Sequence, residues 1–256
     1  MASSNEYGEA LKGVGPIPPK QGIYEMSETA KATLSTRLAF ADGRVFRYAK
    51  AGATNLAPGK ICKVGALVAQ NNKAVAAVVA VGGKTVVLTT SSAITTAAEG
   101  FLTINDVDGE GIIYKIRKTA ANATTSTSTD VTIYDSIATA LTTNSEGTVI
   151  YNPYEQVEIV SAQADIIVGV PPITVTAEYY FWLQTWGPCP VWSNNTPAAG
   201  YMVCASVSGS VAGSTTTLPW IGTGAGVSNM AGMVIGYQMQ LGVDTEYKLV
   251  HLMIAP

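Results

Sequence analysis

EYYFWLQTWGPCPV, residues 178–191, is the densest aromatic stretch of a chain that has only 4 Trp and 4 Phe. Aromatic side chains favour the pleated, half-buried surface of a β-strand, and each can bury about 150–250 Å². The stretch therefore predicts a central strand with both faces covered. Because proline has no N–H to donate to a sheet ladder, we expect Gly187, Pro188 and Pro190 to end this strand.

The rest of the chain consists of short apolar runs separated by turn residues, as at Asp42-Gly43, where charged and apolar side chains alternate after the turn. This pattern predicts a mainly all-β fold, a β-barrel or sandwich with little helix. Residues 1–35 contain a glycine and proline cluster at 13–19 and are predicted to form an extended N-terminal arm. We assign residues 36–88 and 166–256 to the barrel or sandwich body, and residues 89–165 to a β-rich middle or projecting unit.

The composition is unusually poor in charge. Charged residues make up 13% of the 256 residues, about half the usual share, and a free monomer normally keeps soluble through a charged surface. We therefore expect much of the surface to be covered by copies of the chain or by a partner. A net charge of −3 argues against a nucleic-acid partner. The apolar runs have strand length, so no membrane span is predicted, and the polar first residues do not resemble a secretory signal.

Two glycine-rich segments resemble parts of nucleotide-binding loops. Gly82-Gly83-Lys84-Thr85 matches the end of a phosphate-binding loop, but the strand-like run 86–88 follows where a helix N-terminus is needed. Gly222-x-Gly224-x-Gly226 also precedes no helical pattern. We therefore predict hairpin turns and no cofactor.

Neither calcium nor zinc has a complete set of ligands in the sequence. Asp106-x-Asp108-x-Glu110-Gly111 resembles the start of a calcium loop, but Arg117 stands where the bidentate glutamate is required. A zinc site would need three widely spaced cysteines to converge with the only histidine, and no closely spaced pair exists to begin it. We expect no metal.

The three cysteines, Cys62, Cys189 and Cys204, are odd in number and far apart. This spacing predicts reduced, partly buried thiols. A pairing of Cys189 with Cys204 across adjacent strands stays open.

The sequence shows no catalytic constellation. His251 is the only histidine and has apolar neighbours, so a packing role is expected rather than a Ser-His-Asp set. A hydrolase needs only two carboxylates, and the candidates lie beside turns or strand ends, where solvated positions are expected: Glu155, Glu158, Asp165 and Glu178. We predict no catalytic residues and no enzyme activity.

Several stretches resemble the capsid decoration, or cement, proteins of tailed bacteriophages. They are DGRVFRYAKAG with the following APGK (42–60), LTINDVDGEG (102–111), NPY (152–154), YYFWLQTWGPCPV (179–191) and GYQMQLGVDTEYKLVHL (236–252). The resemblance implies a β-rich protein that is made in the host cytoplasm, binds the outside of the capsid and stabilises the shell, commonly as a homotrimer. It implies two partners, the major capsid protein and further copies of the chain, and no enzymatic activity.

Two alternatives remain from the sequence. The first is a head fibre or another virion module that contacts the host surface or glycans, with the aromatic stretch as a platform for sugar rings. The second is a carboxylate-dependent hydrolase, for which paired Asp or Glu side chains in one cleft would be the structural requirement.

Overall fold

The computed structural model describes residues 20–124, 127–162, 165–193, 199–206, 214–217, 234–241 and 245–256. These residues contain sixteen strands and no helix, which confirms the predicted all-β fold of barrel or sandwich type. The strands are β1 (Arg37–Ala39), β2 (Val45–Lys50), β3 (Cys62–Lys63), β4 (Val68–Ala74), β5 (Thr85–Thr89), β6 (Phe101–Asp106), β7 (Ile113–Ala121), β8 (Ser128–Ile133), β9 (Glu146–Ile150), β10 (Glu158–Ile159), β11 (Ile167–Gly169), β12 (Tyr180–Ser193), β13 (Met202–Ser206), β14 (Ser214–Thr217), β15 (Val234–Gln238) and β16 (Glu246–Met253).

The chain divides into two compact units whose boundaries differ from the predicted ones. The first unit combines residues 1–65 with 154–256, and the second comprises residues 66–153. The sequence pattern predicts this middle unit at 89–165. The second unit begins earlier because β4 pairs with β9 and β5 pairs with β8, so both strands belong to its sheet. It ends earlier because β10 pairs with β3 of the first unit.

In the first unit, β12 is the strand that the others are built around. It pairs with β2 along its first half and with β16 along its second half. The pairings β12–β14, β14–β13, β13–β15, β15–β16 and β16–β12 form a closed circuit of five strands, in which a single residue pair joins β12 to β14. The interior holds small and medium apolar side chains, among them Val191, Val203, Val250 and Leu252.

The prediction that Gly187, Pro188 and Pro190 end the aromatic strand is wrong. β12 continues through them to Ser193 in unbroken register with β16. Successive N–H groups of a strand point to opposite sides, and that of Trp192 points away from β16, to the carbonyl of Gly59 at 2.8 Å. Pro188 and Pro190 lie two and four residues before Trp192, so their backbone nitrogens also point away from β16. The β12–β16 ladder therefore does not need their missing N–H groups.

Residues 20–35, part of the predicted arm, pack on the first unit, whereas residues 1–19 lie outside the described residues. Ile23 is buried in one cluster with Tyr48 and Trp182. The Trp182 indole N–H donates to the carbonyl of Gln21 at 2.9 Å, and Ser27 bridges Tyr180 as a short strand pair. This segment therefore covers the outer face of the first half of β12.

The second unit is an antiparallel sheet of six strands in the order β4-β9-β6-β7-β8-β5. An isolated β-bridge between Val75, which follows β4, and Leu88 of β5 brings the two edge strands of this sheet together. Alternating side chains of β6, β7 and β8 point inward to a buried core that includes Leu102, Ile116 and Val131. Period-2 alternation of this kind is what a sheet with one buried face requires.

Candidate interaction surface

The outer face of the β12–β16 pair carries side chains that are almost all apolar or aromatic. Each outward residue of β12 lies opposite an outward residue of β16, and the row continues onto β15 and β13. We call this set the apolar face: Trp186, Pro188, Pro190, Trp192, Met202, Tyr237, Tyr247, Leu249, His251 and Met253. None of the ten is Asp, Glu, Lys or Arg.

Strand alternation produces the apolar face. Cys189, Val191, Val250 and Leu252 lie between its members along the chain and are buried in the interior of the five-strand circuit. The intervening residues must then point outward. Met202 remains 53% exposed and Tyr247 47% exposed. An apolar patch of a few hundred Å² is the size of the largest patch on many monomers, where it is often a functional surface.

The aromatic rings of the apolar face pack against one another. His251 stacks on Tyr237 with ring centroids 4.9 Å apart and meets Trp186 edge-on at 5.9 Å. Trp192 meets Tyr247 edge-on at 5.2 Å, and Lys60 lies over the Trp192 ring, 4.6 Å from its centroid. Aromatic side chains held by such contacts lose little further freedom when a partner binds, which favours association.

A cavity of about 230 Å³ opens beside the apolar face. Its lining contains five prolines, together with the aromatic residues Tyr24, Phe46 and Tyr247. Its polar side chains are Arg44, which pairs with Asp42 at 2.7 Å, and Gln184, whose amide donates to two backbone carbonyls of its own strand. No carboxylate lines the cavity.

The structure places His251 and Cys189 on opposite sides of the sheet. His251 belongs to the apolar face, whereas Cys189 lies in the interior of the five-strand circuit. Cys62, Cys189 and Cys204 are all buried and none of them forms a disulfide, which answers the open question of a Cys189–Cys204 bond. Burial raises the pKa of the Cys62 thiol and raises that of Cys189 to about 12. No group of three His, Cys, Asp or Glu side chains suited to a metal ion occurs among the described residues.

The four carboxylates proposed as hydrolase candidates interact with two lysines, Lys50 and Lys63. Lys50 forms an ion pair with Glu178 and also acts on Glu155. Burial raises the pKa of Glu155 to about 7, with the Lys50 charge lowering it and the Glu178 charge raising it.

The other two acids, Glu158 and Asp165, both face Lys63, at 3.9 and 3.4 Å. None of the four carboxylates lines the cavity.

The remaining sequence motifs are turns where the structure describes them. Gly82 has a φ of 89° and the strand β5 follows it, as predicted for a hairpin turn. Asp108 accepts a hydrogen bond from the Thr142 hydroxyl at 2.8 Å, and Arg117 lies inside β7. The motif at Gly222, Gly224 and Gly226 falls outside the described residues.

Comparison of the chain with protein-family models, with curated proteins and with solved structures found no match. Within the described residues, no helix has the length and apolar character needed to cross a bilayer.

Sequence reasoning missed the apolar face, although a signal for it was present. From 186 to 192, every second residue is Trp or Pro, and from 247 to 253 every second residue is Tyr, Leu, His or Met. Both runs also have apolar residues at most of the intervening positions, and the aromatic stretch 178–191 is accordingly predicted to be covered on both faces. Only the pairing of β12 with β16 shows that the two alternating rows form one surface.

Proposed function

We propose that this chain is a structural virion protein that binds the outer surface of a tailed-phage capsid and stabilises the shell as a decoration, or cement, protein. In this proposal it acts as a homo-oligomer, a trimer by the family resemblance, with the major capsid protein as its partner. The single observation that carries the proposal is the apolar face, a set of ten side chains without Asp, Glu, Lys or Arg, five of them exposed and five half-buried.

The apolar face has the composition of an interface core. Cores of protein interfaces are depleted in charge and enriched in Trp, Tyr and Met, and this face has two of each. From the strand rise and spacing, it measures about 20 by 15 Å, or about 300 Å². A standard interface needs about 800 Å² from each partner. The apolar face is thus large enough for the centre of one contact, and repeated contacts over a shell would add avidity.

The low charge of the whole chain supports the same function. With 13% charged residues, a free monomer would be poorly protected against association. A protein whose surface is covered by neighbouring subunits in its functional state does not need a charged surface to stay soluble. In this function no side chain needs to react, because the free energy of binding comes from surface area that is removed from water.

The test is reconstitution on shells of the phage that encodes this chain, prepared without it. Wild-type chain and two variants, Met202→Asp and Val68→Asp, are added, and occupancy is measured by cryo-electron microscopy. The two positions are matched, with 53% and 50% exposure, but only Met202 belongs to the apolar face. We expect Met202→Asp to lower the apparent affinity at least tenfold, because a charge would be buried without a partner.

Two results would contradict the proposal. If the wild-type chain leaves no density on the shell, the chain is not a decoration protein. If Met202→Asp and Val68→Asp bind equally well, the apolar face is not the contact.

A second candidate function has one observation in its favour. Tyr237 and Tyr247 are exposed on the apolar face, beside the rings of His251 and Trp192, and flat exposed rings are what sugar-binding modules use for stacking. A head fibre or another host-contacting module would use the same surface for glycans. Saturable binding on a glycan array that is lost in Tyr237→Ala, together with absence from the shell, would favour this candidate.

A further inference from the structure

A short loop borders the apolar face at the end formed by Trp192 and Tyr247. The Tyr247 hydroxyl donates to the carbonyl of Pro58 at 3.2 Å, and the backbone N–H of Trp192 donates to the carbonyl of Gly59 at 2.8 Å. The loop fits closely, since a Cβ added to Gly59 would lie 2.5 Å from the Tyr247 ring. These contacts hold Lys60 at the rim of the apolar face, with its ammonium 4.6 Å from the centroid of the Trp192 ring.

Lys60 lacks an acidic partner among the described residues, unlike other lysines of similar burial. Three other half-buried lysines each face a carboxylate: Lys50 faces Glu178, Lys63 faces Glu158 and Asp165, and Lys115 faces Glu99. The Lys60 ammonium makes neither an ion pair nor a hydrogen bond within the described part of the chain. Burial lowers the pKa of Lys60, because the water that its charge has lost is not replaced by an opposite charge.

A molecule that covers the apolar face would remove more water from this ammonium. Lys60 lies over Trp192, so a partner that packs on the ring also approaches the charge. Taking an ammonium out of water is strongly unfavourable unless an opposite charge takes the place of the water. The ten residues of the apolar face include no Asp or Glu. A second copy packed by the same face would therefore bring another Lys60 and no carboxylate from that face.

We propose that Lys60 pairs with a carboxylate of the capsid surface that covers the apolar face, so that the major capsid protein presents an Asp or Glu side chain beside its apolar contact. This inference rests on the proposed function and names the chemistry of its partner. The pair would fix the orientation of docking, because complementary charges favour the one register in which they meet.

The experiment uses full-length chains on the shells described above. Wild type, Lys60→Gln, Lys60→Arg and Lys73→Gln are compared at about 0.05 and about 0.5 M NaCl, because salt screens exposed charges over this range. Lys73→Gln is the matched control. Lys73 is also half-buried, its side chain has no ion pair or hydrogen bond with a described residue, and it lies in the second unit. Both Gln variants change the net charge equally, so a general attraction between chain and shell affects them alike.

We expect Lys60→Gln to bind about tenfold more weakly than wild type at the lower salt concentration and to lose part of the salt dependence. Lys60→Arg and Lys73→Gln should bind like wild type. A carbodiimide joins an amine to an adjacent carboxylate, so it should link Lys60 of the bound chain to an Asp or Glu of the major capsid protein. Mass spectrometry identifies the linked residue, and the link should be absent in Lys60→Arg although this variant binds.

Three results would overturn the proposal. The first is equal binding of Lys60→Gln and Lys73→Gln. The second is a loss in Lys60→Arg as large as in Lys60→Gln, because the contact would then depend on shape and not on charge. The third is a link from Lys60 to a second copy of the chain. If wild type leaves no density on the shell, the proposed function and this inference are both wrong, whereas binding of wild type with no effect at Lys60 contradicts this inference alone.

Discussion

Trp182→Ala is the most informative single substitution in the first unit. Trp182 is 1% exposed and meets Tyr48 edge-on with centroids 5.0 Å apart. Its indole N–H donates to the Gln21 carbonyl at 2.9 Å. The substitution therefore empties a site between β12 and the segment 20–35, and it removes the donor that holds Gln21.

The expected loss follows from these contacts. Replacing a buried Trp by Ala costs about 3–5 kcal/mol, and the Gln21 carbonyl left without its donor adds about 1 kcal/mol. We expect a total near the upper end of the first range, about 5 kcal/mol, because the neighbouring rings of Tyr48 and Phe46 are themselves fully buried and cannot readily fill the space. At about 2–4 °C per kcal/mol, the melting temperature of this unit should fall by at least 10 °C.

Urea unfolding followed by tryptophan fluorescence is the assay. All four tryptophans of the chain lie in the first unit, so their emission reports that unit alone. Trp186→Ala is the matched control, with the same atoms removed from a half-exposed position on the apolar face. It should cost at most about 1.5 kcal/mol. Equal midpoints for the two variants, or an unchanged midpoint for Trp182→Ala, would refute the reasoning.

Three further predictions concern other parts of the chain. Burial raises the pKa of Glu155 from 4.5 to about 7, so its stabilising contribution is complete below pH 4.5 and is lost as the pH rises through 7. Glu155→Gln should therefore flatten the fall in stability between pH 5 and 8 by about 1–2 kcal/mol, a value reduced for its partial exposure; parallel wild-type and variant curves would contradict this. Gly236→Ala should destabilise by more than about 3 kcal/mol, because the added Cβ would lie 1.8 Å from the His251 carbonyl oxygen. Gly43→Ala, with nothing within 4 Å, should cost only about 1 kcal/mol, and thermal denaturation compares the two. The Cys189 thiol, with a pKa of about 12, should stay unlabelled by a thiol reagent until the chain is unfolded, and rapid labelling of the folded protein would place it at the surface.

The local pattern of the sequence was sufficient for the strands that have one buried face. Asp42-Gly43 between alternating residues predicts the hairpin of β1 and β2, and the structure confirms it with Gly43 at a φ of 88°. The dense aromatic stretch likewise predicts a central strand, and β12 pairs with β2, β14 and β16. Turn chemistry and period-2 alternation act between neighbours in sequence, so they can be identified without a fold.

The failures all depend on which partner a strand finds. Pro188 and Pro190 end a strand only if the ladder needs their N–H groups. In the observed register of β12 and β16, the backbone nitrogens of both prolines point away from β16, so the ladder does not need those N–H groups. The unit boundary at 65 depends on the pairing of β4 with β9, about seventy residues further along the chain.

By itself, the sequence determined the all-β class, the central aromatic strand and the shortage of charge, because composition and alternation are local properties. The tertiary structure alone decided that two alternating rows, 186–192 and 247–253, lie side by side as one surface whose own residues include no Asp, Glu, Lys or Arg. That surface exists because β12 and β16 pair in antiparallel register, a long-range contact that no local pattern contains.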